Sequence, residues 1–166
     1  METNKSLEIL KMAILMERKG YAFYSQVAKN TQSKVVREIF ETMAQEEILH
    51  EKFLSESFKS VLKNQKITSL KFPQQEDKFT PLILTDKLKK EISAASYEAA
   101  AISAAIDMEN NAIKVYADFA QKAETNEEKE LFNWLSNWEK THHQVLSEMD
   151  KELKEAIWFD NQFWPF

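Results

Sequence analysis

The sequence predicts an all-α fold of four helices, arranged as two repeated helix pairs with a long crossover between the second helix and the third. Three observations carry this reading. One glycine and three prolines in 166 residues leave little material for tight turns and bulges, which favours long helices over a sheet. Apolar residues recur at three- and four-residue steps along extended stretches, the period of one helix face. The chain also matches itself without a gap at an offset of 92 residues, the distance from Glu17 to Glu109.

The first helix runs from Ser6 to about Lys29, where Leu10, Ala13, Ile14, Glu17, Gly20, Tyr24 and Val27 share one face. "NTQS" at 30–33 follows with turn and capping residues, and Ser33 is a candidate N-cap for a second helix. That helix carries Val36, Phe40, Met43, Glu47, His50, Leu54 and Val61 on one face, and the short connection implies that the two pack antiparallel. Residues 64–84 hold two prolines and no sustained period, so they read as the crossover. Its length suits a chain that must travel the full bundle before the third helix begins.

Helical signals return with Thr85 and Asp86, strengthen through the alanine-rich "EISAASYEAAAISAAIDMEN" and run to about Ala123, as one long helix or a short helix followed by a long one. Thr125 and Glu128 then form a T-x-x-E capping box. The fourth helix begins there and carries Phe132, Leu135, Glu139, His142, Leu146 and Met149. A chain of this length is expected to form one domain. The bundle is placed at residues 1–156 and an aromatic tail at 157–166, with "IWFDNQFWPF" expected to pack on the bundle or on a second subunit of a homodimer.

The internal match is where chemistry enters. "AILMERKGYAFYSQVA" at 13–28 lies over "AIDMENNAIKVYADFA" at 105–120, pairing Glu17 with Glu109 and Tyr24 with Tyr116. "EIFETMAQEEILH" at 38–50 lies over "ELFNWLSNWEKTH" at 130–142, pairing Glu47 with Glu139 and His50 with His142. Each half therefore contributes one Glu from its first helix and a Glu-x-x-His from its second, and residues three apart lie on the same side of a helix. Four buried carboxylates without partners would cost several kcal/mol each or take up protons, whereas two divalent cations neutralise their four charges.

The set matches the carboxylate-rich dinuclear sites of helical bundles. Oxygen and imidazole donors without thiolate suit iron or manganese better than structural zinc. Two iron ions per chain are expected, with manganese or a mixed pair as alternatives. Gly20 and Ala112, one turn after Glu17 and Glu109, leave room beside the metals for dioxygen, peroxide or water.

These residues resemble the rubrerythrin-like, non-haem di-iron proteins of the ferritin-like superfamily, over nearly the whole chain apart from the tail. The resemblance implies a ferritin-like four-helix bundle in which Glu17, Glu47, His50, Glu109, Glu139 and His142 are metal ligands. Glu47 and Glu139 would bridge the ions, and Tyr24 and Tyr116 would lie close by. It implies a di-iron carboxylate oxidoreductase that reduces peroxide or dioxygen, with a ferroxidase of the iron-handling kind as the alternative. Catalysis would then rest on the metal centre, with no separate catalytic side chain.

Two features depart from the rubrerythrin pattern: Ala112 stands where those proteins carry a further Glu, and the sequence has no cysteine for a rubredoxin-type iron site. The reductant is therefore expected to be a separate donor protein or a small donor. A metal-free helical interaction module that docks through its aromatic tail is the reading from a different class.

The remaining features point to bland roles. Tyr24 and Tyr116 are expected to pack in the core and hydrogen-bond ligand carboxylates rather than form radicals. Glu46 and Asp107 adjoin ligand positions and are expected to point elsewhere, Glu98 to be solvated or paired, and His143 to lie on the surface. Trp134, Trp138, Trp158 and Trp164 read as core or interface residues. A net charge of -5, with both signs interspersed, gives no nucleic-acid footprint. No apolar run approaches membrane-spanning length and the N-terminus lacks a signal-peptide pattern, so a cytoplasmic protein is expected.

Overall fold

A computed structural model describes the chain apart from residues 1, 69, 77, 84–87, 89–90, 92–96 and 161–166, with backbone alone at 2–4, 83 and 156–160. Four long helices carry the periodic stretches: α1 (Glu2–Asn30), α2 (Lys34–Asn64), α4 (Tyr97–Lys122) and α5 (Asn126–Asp160), with a single turn, α3 (Thr80–Ile83), inside the crossover. No strand occurs among the described residues. The architecture is the all-α bundle that the sequence predicts.

Local chemistry sets the helix ends. Ser33 is the N-cap of α2, its backbone extended at φ -74 and ψ 123 and its hydroxyl accepting from the Val36 N–H at 3.2 Å. Gln65 closes the same helix in the left-handed region at φ 59, donating its N–H to Val61 at 2.9 Å. At the start of α5 the Thr125 hydroxyl accepts from the Glu128 N–H at 3.2 Å. The Glu128 carboxylate reaches back to the Glu124 N–H at 2.9 Å, one residue before the place a strict capping box uses. Glu98, in the first turn of α4, is buried and paired: it accepts from the Thr31 hydroxyl at 2.6 Å and the Gln32 N–H at 3.2 Å, which ties α4 to the α1–α2 turn.

α1 packs along α2, and α4 along α5, each pair an antiparallel hairpin, with α1 also touching α4. Two apolar clusters fill the interior. One gathers Leu10 and Ala13 of α1, Leu54 and Val61 of α2, Tyr116 and Phe119 of α4, and Leu131 and Leu135 of α5. The other takes Tyr24 and Val27, Phe40 and Met43, Ile102 and Ala105, and Leu146 and Met149 from the same four helices. Each helix thus gives one apolar stretch to each end of the bundle, and Glu17, Glu47, Glu109 and Glu139 fall between them. The polar layer divides the core across its middle.

The crossover is pinned rather than loose. Ile67, Leu70 and Phe72 pack into the cluster where α2 ends, and Phe79, Leu82 and Leu88 into the one where α4 begins. The segment therefore runs the length of the bundle, about 40 Å for a helix the size of α4. Thr85 and Asp86, where the sequence suggests a return to helix, lie outside the described residues. So do residues 161–166, and with them the packing of the aromatic tail. α5 continues through Asp160, past the expected bundle boundary at residue 156.

Candidate metal centre

Six residues meet in the polar layer. Glu17 from α1, Glu47 and His50 from α2, Glu109 from α4, and Glu139 and His142 from α5 are all between 0% and 4% exposed. They form two overlapping sets, Glu17/Glu47/His50/Glu139 and Glu47/Glu109/Glu139/His142, each with donor atoms within 4.8 Å of one another. Glu47 and Glu139 belong to both sets. The repeat seen in the sequence has become a near two-fold arrangement in space, with each half completing the other's set.

The imidazoles enter with Nδ1. For His50 this atom lies 3.0 Å from Glu17 Oε2, 3.1 Å from Glu139 Oε1 and 3.6 Å from Glu47 Oε2. For His142 it lies 3.0 Å from Glu139 Oε2, 3.2 Å from Glu109 Oε1 and 3.6 Å from Glu47 Oε1. Both Glu139 oxygens and Nδ1 of His142 are buried, yet none makes a hydrogen bond among the described residues. His50 Nδ1 is within hydrogen-bond geometry of Glu17, but the Glu139 oxygens and His142 Nδ1 converge at these distances without a hydrogen bond, as ligands do around shared cations. Left without a partner, such buried groups would each cost about 1–3 kcal/mol. The residues fit two hard or borderline divalent ions with oxygen and nitrogen ligands.

Electrostatics describes the same strain. Burial raises the Glu47 carboxyl well above its ordinary range, and the Glu139 and Glu17 charges raise it further. Burial also raises Glu109, to about 7, with Glu139 adding to the effect. For Glu139, burial works upward but the imidazoles outweigh it, His50 foremost, and hold the group below its usual range. Burial would lower His50, yet the Glu139 and Glu17 carboxylates carry it up to about 10. His142 is likewise raised against its burial, by Glu109, Glu139 and Glu46. Without metal, protons must serve as the counter-charge of this pocket.

Two tyrosines brace the carboxylates from the opposite repeat. The Tyr24 hydroxyl donates to Glu109, and the Tyr116 hydroxyl donates to Glu17. Both phenols are buried, and burial followed by the neighbouring carboxylates keeps their protons in place. This is the role the sequence predicts for them. Gly20, the single glycine, lies against Glu47: a Cβ there would stand 3.1 Å from Cδ and 3.3 Å from each carboxylate oxygen.

Beside Gly20 and Ala112 opens a cavity of about 180 Å³, walled by Glu17, Glu47, Glu109 and Glu139 and rimmed by Lys19 and Asn111. Those two rim residues are exposed, so the cavity reaches solvent between α1 and α4. Neither histidine lines it.

One expectation is corrected. Asp107 points away as predicted and is exposed. Glu46 does not: it is buried, and its Oε2 lies 2.8 Å from His142 Nε2 while accepting from the Trp138 indole N–H at 2.9 Å. Lys78 Nζ stands 3.7 Å from the other oxygen. Burial raises the Glu46 carboxyl, but the hydrogen bond from His142 and that ring's charge prevail and lower it. The two consecutive glutamates in "QEEILH" were the available signal; the adjacency rule failed because α2 is covered on both of these sides, by α1 and by α5. His143 is only partly exposed, and Trp134 and Trp138 pack on the His50 ring with centroids 5.4 and 5.3 Å away.

A four-helix bundle with paired carboxylate–histidine sets at its middle is the architecture of dinuclear carboxylate proteins. The family model for Rubrerythrin matches residues 8–150. The chain belongs to the rubrerythrin family. No curated protein and no solved structure matches it significantly. Among the described residues, no helix is long and apolar enough to cross a membrane.

Proposed function

We propose that the chain is a di-iron carboxylate oxidoreductase that reduces peroxide or dioxygen. The observation that carries this is the pair of buried ligand sets sharing Glu47 and Glu139 beside a solvent-reaching cavity. Glu17 and His50 would complete one metal position, Glu109 and His142 the other, with Glu47 and Glu139 bridging. Two ferrous ions held there would supply two electrons, enough to take peroxide to water or dioxygen to peroxide.

The chain's own contribution is placement. Tyr24 and Tyr116 fix the outer carboxylates, the apolar clusters keep bulk water from the layer at both ends, and Gly20 and Ala112 leave a small substrate room to approach. The sequence holds no cysteine with which to ligate an electron-delivering iron, so electrons are proposed to come from a separate donor protein. A soluble cytoplasmic homodimer is the proposed working form.

The test is metal analysis followed by anaerobic loading with Fe(II) and rapid mixing with peroxide or with oxygen. About two irons per chain, oxidised faster by peroxide, support peroxide reduction; faster oxidation by oxygen supports an oxidase or ferroxidase. Failure to bind iron sinks the proposal.

A further inference from the structure

The near two-fold symmetry of the centre breaks at several pairs of positions, and one of these pairs reaches both histidines. Glu46 and Trp138 are equivalent under the 92-residue offset, each immediately preceding the Glu of a Glu-x-x-His. Each reaches across to the histidine of the other repeat, but with different chemistry. Glu46 offers His142 Nε2 a carboxylate oxygen at 2.8 Å. Trp138 offers His50 a ring, edge to face at 82°. His50 Nε2 is buried and has no hydrogen-bond partner among the described residues.

We infer that Glu46 makes the two metal positions inequivalent: the position that includes His142 fills first and holds its ion more tightly, and the position that includes His50 is the labile one. This rests on the dinuclear reading above. The physical reason is that a carboxylate accepting the outer N–H of a metal-bound imidazole fixes its tautomer and orientation and strengthens the ring as a donor. Glu46 also adds a negative charge near one position, and the lysine beside it among the described residues, Lys78, is half exposed and 3.7 Å away. The indole N–H of Trp138 holds that carboxylate in place at 2.9 Å. One side chain therefore orients the acceptor for His142 while denying His50 an acceptor of its own. Packing against Trp134 and Trp138 positions the His50 ring, but ring contacts do not polarise its N–H as a carboxylate does.

The decisive experiment is an anaerobic titration of the full, metal-free chain with Co(II) and with Fe(II), followed by calorimetry and, for ⁵⁷Fe, by Mössbauer spectroscopy. The expected isotherm has two steps separated by about 10- to 100-fold in affinity, the usual weight of such an outer partner. At one equivalent of ⁵⁷Fe a single quadrupole doublet is expected, and a second, distinct doublet appears only with the second equivalent. Glu46→Gln keeps shape and packing and removes the charge, so it should weaken the first step by about ten-fold and spare the second. Trp138→Phe keeps Glu46 as acceptor and should leave two separate steps. A single step with equal affinities in the parent chain, or a Glu46→Gln effect shared equally by both steps, would overturn the inference while leaving the dinuclear reading intact. Absence of any binding would instead remove the dinuclear reading itself, and this inference with it.

Discussion

Tyr24 on α1 donates its hydroxyl to Glu109 on α4, although the two residues stand 85 positions apart. Its repeat counterpart, Tyr116, returns the same bond to Glu17 across 99 positions. The hairpins are thus stitched together at the polar layer by two charge-assisted hydrogen bonds, where direct contact between α1 and α4 is otherwise sparse. A buried hydrogen bond to a charged acceptor contributes about 1.5–3 kcal/mol. Tyr24→Phe and Tyr116→Phe should each destabilise the metal-free protein by about 2 kcal/mol, measured by urea unfolding at about pH 8, above the value of about 7 to which Glu109 is raised. The near two-fold relation requires the two losses to be similar. A loss confined to one of them would show that the bonds are not equivalent.

The pH dependence of stability follows from the pocket's protons. His50 has a folded value of about 10 against an ordinary 6.5, so its contribution is complete below about pH 6.5 and is lost as pH rises through 10. Glu109, raised from 4.5 to about 7, adds loss over that lower interval, and Glu47 acts in the same direction. Glu139 and Glu46 are lowered, so their contributions are present above about pH 4.5 and are lost as pH falls below it. Metal-free protein should therefore be most stable near pH 4.5 to 5 and melt at lower temperature at pH 9, as followed by calorimetry after chelation. Two bound cations replace those protons, so loading should flatten the alkaline limb. An alkaline limb unchanged by metal would contradict the proposed ligand set.

Gly20 gives a third prediction. In a helix interior Ala is favoured over Gly by about 1 kcal/mol, so Gly20→Ala gains propensity in α1. The same methyl would press on the Glu47 carboxylate, at 3.1 Å from its carbon. Thermal melting of the metal-free variant should stay within a few degrees of the parent, because gain and crowding oppose each other. Metal affinity should fall about ten-fold or more, since a displaced shared carboxylate affects both positions. Unchanged metal affinity would mean that Glu47 yields without leaving its place.

The four long helices and the six converging residues were legible in the sequence because a repeat multiplies weak local signals. Glu47 three residues before His50 is a common pattern, but the same spacing at Glu139 and His142, in register with Glu17 and Glu109, is not. Ser33 and Thr125 were legible because capping is local chemistry. Glu46 was not, since its neighbour Glu47 already claimed the interior and only the tertiary arrangement reveals that α5 covers the adjacent stripe with Trp138 and His142. The crossover was legible only as an interruption: the burial of Ile67, Phe79 and Leu88 depends on long-range packing that no short period announces.

The shared carboxylates should respond with opposite signs when metal is absent. Glu47 is held among like charges, with burial, Glu139 and Glu17 all opposing its ionisation. Glu47→Gln removes that conflict at constant shape, so the metal-free variant should be more stable than the parent by about 1 kcal/mol. Glu139 faces both imidazoles and is held ionised by them. Glu139→Gln leaves those rings without their central counter-charge and should cost about 3 kcal/mol, as removal of one partner from a buried ion pair does. Both variants should lose metal binding, because each removes a carboxylate common to the two sets. Urea unfolding of chelated protein, paired with Fe(II) titration, measures the two effects independently. If Glu47→Gln destabilised the metal-free chain as much as Glu139→Gln, the difference in electrostatic environment drawn here for the two residues would be wrong. If Glu47→Gln still took up two ions with parental affinity, Glu47 would not be a shared ligand.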